Sequence, residues 1–286
     1  EIPMNSDNFR YFNVAINLMT GYSSEGSILA NDGWPYFLSL FFSITPSNNF
    51  MDYMALQKFL TIGISVLTII PIYLLAKQFV SKQYAILSAA IFIFEPRIAQ
   101  NSLFGITEPL YIMALTISLA LIFYKKYYVQ YISFAILSFA ILIRSEGLFL
   151  LPIFFVIFIL RSRKNRKIFF HLFIILIIIT SILLPASIIR SEHLGNDGMT
   201  ARISSGIDHI SKTSDGNQNQ IFSIVINGII NMLKFLAWSQ IPYLIFLVPI
   251  GLILFIKKGN KYEKSLILIA ISALIPTIYP YSFASD

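Results

Sequence analysis

From residue 59 onward, long apolar runs follow one another with only short charged connections between them. The runs are residues 59–76, 85–94, 109–124, 131–143, 147–160, 168–189, 241–256 and 265–281. A hydrocarbon core of ~30 Å needs about 20 mainly apolar residues per helix. Several runs fall short of that and span only by tilting, by drawing in polar end residues, or by sitting inside a bundle. Only 12% of the 286 residues are charged and 56% are hydrophobic, whereas a soluble domain carries about a quarter charged residues. Mean hydropathy is +0.73. The expected fold class is an all-α polytopic membrane protein of about eight transmembrane helices, with juxtamembrane amphipathic helices on the outer face.

The charges orient the spans. Four connections are basic: Lys77 with Lys82; Lys125 with Lys126; Arg161, Arg163, Lys164, Arg166 and Lys167; and Lys257, Lys258, Lys261 and Lys264. The positive-inside rule places them in the cytoplasm. The alternate connections hold every Asp and most of the Glu, so segment 1–56, residues 95–108, residues 144–146, segment 190–220 and the end near Asp286 fall outside. The net charge of +7 therefore reports topology, and nucleic-acid binding is not expected. An outward start at Glu1 predicts one more span upstream, and the chain reads as a fragment. The Ile- and Lys-rich composition without cysteine points to a prokaryotic plasma membrane and excludes disulfides and thiolate zinc sites.

This reading divides the chain into an extracytoplasmic juxtamembrane segment (1–56), a helix bundle (57–189), an extracytoplasmic loop with an interfacial helix (190–239) and C-terminal spans (240–286). The interfacial helix is expected early in 221–256, where Ser223, Asn227, Asn231 and Lys234 share one stripe. Loop 190–220 is too long for a connector and reads as a flexible acceptor-binding loop or lid. His193, His209, Asp197 and Asp208 lie there without the spacing of a metal motif, so no metal and no cofactor are expected.

Four charged positions stand out. Residues 6–21 form a short amphipathic helix with Phe9, Phe12, Ile16 and Met19 on its apolar stripe and Gly21 at its end. Asp7 lies at the helix start, where a carboxylate is favoured and can also act as a cap. Glu108 precedes Pro109 at the outer end of a span, as a cap or as a group with a task. Arg144, in a connection of about three residues, is forced to the outer interface. It suits either a salt bridge to Glu146 or a phosphate. Arg97 is a second cation of the same kind.

Asp7, Tyr11 and Ala15 on a surface helix, then Gly33–Trp34–Pro35–Tyr36, a span ending at residues 73–77, Pro96, Thr107–Glu108–Pro109 and residues 142–147 occur in an order that resembles a known family. It is the C-superfamily of membrane glycosyltransferases that use polyprenyl-phosphate sugars, nearest the protein O-mannosyltransferase and aminoarabinose-transferase group (family 39). The likeness covers about residues 5–155. Asn8 stands where a second acid is common, and Ser145 replaces the usual Pro. The Trp-Trp-Asp signature of the metal-dependent oligosaccharyltransferases is absent.

The resemblance implies transfer of a sugar, a hexose such as mannose, from a polyprenyl or dolichyl phosphate to an acceptor hydroxyl, with inversion. Asp7 would be the general base. Glu108 would orient Asp7 or bind sugar. Arg144, with Arg97, would hold the donor phosphate, and Tyr11 and Trp34 would contact substrate. The implied partners are the lipid-linked sugar donor, a protein, lipid or glycan acceptor, and membrane lipids. A transporter is the competing class, but the polar residues gather at one face rather than at midplane. A polyprenol-binding subunit without activity could dispense with Asp7.

Overall fold

A computed structural model describes residues 6–22, 31–162, 166–213, 218–239, 244–259 and 261–282. Arg163 and Lys164 of the expected inner loop, and both chain ends, lie outside the described residues. All described secondary structure is helical. The chain forms two compact units, residues 1–147 with 158–198, and residues 148–157 with 199–286.

The first unit holds α1 (Ser6–Thr20), α2 (Gly33–Ile44), α3 (Phe50–Leu67), α4 (Ile69–Ala76), α5 (Lys82–Ile93), α6 (Pro96–Phe104), α7 (Glu108–Ile122), α8 (Tyr127–Ile143) and α10 (Ile168–Leu194). A 3₁₀ turn, Ser145–Leu150, leads into α9 (Leu151–Ser162). The second unit holds α11 (Thr200–Thr213), α12 (Gln218–Ser239), α13 (Leu244–Lys258) and α14 (Lys261–Ser282).

Local chemistry sets several boundaries. Asn49 caps α3, its side chain accepting from the Met51 amide at 3.0 Å. Pro96 opens α6, where its missing N–H costs nothing. Gly105 ends that helix in the left-handed region at φ 71°, which a β-carbon disfavours. Gly21 ends α1 at φ 70°, with the Tyr22 amide closing back on the Asn17 carbonyl in the Schellman manner.

The first unit is built inside out relative to a soluble protein. Gln57, Thr61, Ser118, Gln130 and Ser133 are buried, while Phe59 and Phe169 are 70% and 82% exposed. Against lipid, an exposed Phe is at no disadvantage, and polar side chains are kept for helix–helix contacts. Ser118 on α7 and Ser133 on α8 show this reciprocally: each hydroxyl donates to the other residue's carbonyl, at 2.9 and 2.8 Å. Thr61 on α3 donates to the Ser102 carbonyl of α6 at 2.7 Å. Such bonds are worth about 0.6 kcal/mol each in a membrane, and they fix rotation as well as proximity.

Among the described residues, four segments are long and apolar enough to cross a membrane: Phe50–Ala76, Ser145–Ser162, Ile168–His193 and Lys264–Ser282. Together with the outward apolar faces, they make this a polytopic integral membrane protein. The expectation of eight spans is met only in part. The other four expected runs lie in shorter helices, α5, α7, α8 and α13, of 12 to 17 residues.

Two local expectations change. Segment 190–220 is largely helical: α10 runs on to Leu194, and α11 occupies Thr200–Thr213. The helix expected in the interface, α12, is seen to pack along one side on a neighbour in the second unit. Gly228 of α12 is so close to α14 that a β-carbon there would meet the Ile278 carbonyl at 2.5 Å. Asn231, on the supposed wet stripe, donates to the Tyr281 carbonyl at 3.2 Å.

Candidate functional site

The site grows from one turn. Residues 104–107 join α6 to α7, and three other helices bind the carbonyls of that turn. The buried Asn8 of α1 donates to Phe104 O. The indole Nε1 of Trp34, on α2, donates to Gly105 O at 3.1 Å. Gln57 of α3 donates to the same carbonyl at 2.6 Å and to Asn8 Oδ1 at 3.2 Å. A side chain at residue 105 would collide with Gln57, whose Cγ lies 3.0 Å from the ideal β-carbon position. The amino ends of α1, α2 and α7 are thus tied to one point.

Asn8 also resets α1. The buried stripe is Asn8, Phe12 and Ala15, with Met19 partly covered, while Phe9 is half exposed. A sequence rule places Phe9 inward because it weighs hydrophobicity. The fold places Asn8 inward because Gln57 and Phe104 supply its hydrogen bonds, as burial of an amide requires. Asp7, one residue earlier, faces solvent in the first turn of α1.

Glu108 opens α7, and Arg144 follows the last residue of α8. The two helices pack as an antiparallel hairpin, so these residues meet at one end. Arg144 Nη1 donates to Glu108 Oε1 at 2.5 Å and Nη2 to Glu146 Oε1 at 3.1 Å. The sequence left Arg144 a salt bridge to Glu146 or a phosphate; the structure shows the Glu146 bridge and adds Glu108, which the sequence alone does not pair with it. Burial lowers the Arg144 pKa, but Glu146 and then Glu108 outweigh it and hold the guanidinium above its ordinary value. All three side chains keep about 30% of their surface exposed. Glu108 also lines a narrow surface crease with Ser65, Thr68, Asn101 and Ile112.

The remaining expected residues separate. Trp34 is fully buried, with its ring stacked 5.6 Å from Phe37, in the position of a core residue. Tyr11 is half-buried beside that core. Arg97 sits at the far end of α6, about 10 Å along the axis from Phe104. Among the described residues no three His, Asp or Glu side chains gather as a metal site would require.

One functional-looking pair was missed. Asp32, just before α2, holds Arg190, in the last turn of α10. Arg190 Nε donates to Asp32 Oδ2 at 3.2 Å and Nη2 to Oδ1, and Nη2 also lies 3.4 Å from the Leu142 carbonyl. Arg190 is fully buried and Asp32 nearly so. The available signal was an aspartate at a capping position and a lone arginine ending an apolar run.

A bundle of apolar-faced helices with charged and polar side chains gathered at one end defines an integral membrane protein with an interfacial polar site. Residues 33–187, more than half of the chain, match the family described as dolichyl-phosphate-mannose-protein mannosyltransferase. The chain belongs to this family, and is accordingly a membrane glycosyltransferase of the C-superfamily. No curated protein and no solved structure matches it.

Proposed function

We propose that the protein moves a hexose, such as mannose, from a polyprenyl or dolichyl phosphate to an acceptor hydroxyl on the extracytoplasmic side, with inversion. The observation that carries this reading is the Arg144 cluster. A guanidinium is held by two carboxylates at the end of the helix hairpin, with part of its surface exposed. It uses two of its five N–H donors on those carboxylates, leaving three for a phosphate whose lipid tail lies along the apolar helix faces.

The chemistry needs little more. The leaving group is already a stabilised phosphate, so it calls for a cation rather than a general acid. The acceptor hydroxyl needs a base, and Asp7 is the exposed carboxylate whose helix is anchored, through Asn8, to the turn that precedes Glu108. In the step, Asp7 takes the hydroxyl proton as the acceptor oxygen attacks the anomeric carbon from the face opposite the phosphate. The C–O bond to phosphate breaks, and its electrons leave with the phosphate. Glu108 fixes Arg144 and would orient Asp7 or bind the sugar. Tyr11 faces substrate, and Trp34 acts through the Gly105 turn. Arg97 is the reserve phosphate contact. Eight spans, with α5, α7, α8 and α13 tilted or sheltered in the bundle, complete the topology in a prokaryotic plasma membrane. In support, Arg161 reaches toward the Ile122 carbonyl, at the end of α7 opposite Glu108, as opposed basic and acidic ends require.

The test is transfer by the purified protein in vesicles, with a short-chain polyprenyl-phosphate mannose donor and a panel of hydroxyl acceptors. The expected result is release of polyprenyl phosphate coupled to a product of inverted anomeric configuration. Transfer from a soluble nucleotide sugar at the same rate would reject the lipid donor.

A further inference from the structure

The Asp32–Arg190 pair is not needed for the chemistry above, yet its geometry is unusually committed. Aspartate in a capping position ordinarily accepts a hydrogen bond from its own helix. Asp32 makes no such bond and turns both oxygens to Arg190. Arg190 is wholly buried, and its Nη1 has no hydrogen-bond partner among the described residues. A solitary buried charge is costly, so either partner alone would be strongly unfavourable. The guanidinium also leans on the Leu142 carbonyl, two residues before Arg144. From the other side, Gly33 presses on the same strand of backbone: a β-carbon there would lie 2.8 Å from Ile143 N and 2.9 Å from Leu142 C. An ion pair and a glycine contact, on two different helices, therefore grip the last turn of α8.

We propose that Asp32 and Arg190 are a positioning pair: by gripping residues 142–143 they set the direction in which Arg144 meets the donor phosphate. The proposal rests on the donor reading above. The pair touches no substrate. Its effect passes through the backbone that carries Arg144, and a misplacement of about 1 Å at a reacting group can cost 100-fold.

The experiment compares Arg190→Lys and Gly33→Ala with Ile64→Ala, which thins the core of the same unit. Arg190→Lys keeps the charge but loses the planar fork; Gly33→Ala reaches the same backbone by steric means alone. For each, KM for the polyprenyl-phosphate donor, KM for the acceptor, and Tm are measured. Both grip variants should raise the donor KM roughly 10-fold or more with the acceptor KM unchanged, while Ile64→Ala lowers Tm and moves neither. If Arg190→Lys does not fold, Asp32→Asn takes its place beside Gly33→Ala. Grip variants that lose Tm like Ile64→Ala but keep the wild-type donor KM overturn the proposal. If the wild-type protein neither binds nor uses a polyprenyl-phosphate donor, the functional reading fails and the proposal falls with it. In donor KM, Arg190→Lys and Arg144→Lys should combine non-additively, as shared backbone requires; additive shifts overturn the proposal while leaving the functional reading in place.

Discussion

Arg144 is where structural and chemical roles are hardest to separate and easiest to test. With two carboxylate partners and partial exposure, each ion pair contributes ~0–1 kcal/mol to stability. Arg144→Lys should therefore leave Tm nearly unchanged. Transfer should fall ~10-fold or more, because an ammonium cannot reproduce the fork that meets a phosphate. Unchanged transfer would move the phosphate to Arg97. The raised pKa also carries a sign. A cation whose folded pKa lies above its unfolded value contributes stability that is complete below the unfolded value. That stability is lost only as pH rises through the folded one. For Arg144 the window opens above the ordinary arginine value, so neither donor affinity nor stability should change between pH 6 and 9 through this group. Trp34 makes the opposite case. Trp34→Phe should lower stability by about 1 kcal/mol through the lost bond to Gly105, with little change in either KM. A large rise in KM without loss of stability would return Trp34 to the substrate. At this scale the sequence singled out Asp7, Glu108 and Arg144 as candidates because charges flanking apolar runs are conspicuous. It hid Asn8 and Asp32–Arg190, since the first looks like a surface amide and the second joins residues 158 apart.

At the scale of elements, the turn between α6 and α7 organises the site. Gly105 has a positive φ and a side chain of α3 within reach of any substituent. Gly105→Ala should cost roughly 1–3 kcal/mol through backbone strain and the clash with Gln57. It should also weaken transfer, since the amino ends of α1, α2 and α7 all depend on that turn. Wild-type activity and stability in Gly105→Ala would disconnect the turn from the site. The apolar helices were plain from the apolar runs, whereas α6 and α11 lie in segments that read as connections in the sequence. The rotation of α1 was not plain, because it depends on partners that only the fold supplies. The same holds for α12, whose polar stripe resembles an interfacial helix until α14 is seen to cover part of it.

For the whole molecule, the expected topology rests on loop charge rather than on helix length. Six of the described helical segments are apolar but only 10–17 residues long, below what a lone span requires. Counting residues therefore could not say which of them cross. Single-cysteine labelling can, since the chain has no native cysteine. Positions 7, 108 and 144 should label from one side and position 166 from the other. Labelling of 7 and 166 from the same side would break the eight-span arrangement. Transfer should also persist in excess chelator, because among the described residues no three His, Asp or Glu side chains gather as a metal site requires. Loss with EDTA and recovery with Mn²⁺ would make Glu108 and Glu146 metal ligands instead.

The central claim is that Asp7 removes the acceptor proton in transfer from a lipid-linked sugar. Its most direct test is Asp7→Asn, a change at an exposed side chain, assayed for transfer and, separately, for donor binding. Loss of a positioned general base costs ~10²–10⁴ in rate. Transfer should fall by that factor while donor affinity and Tm stay at wild-type values. An Asp7→Asn protein that turns over at the wild-type rate would contradict the account.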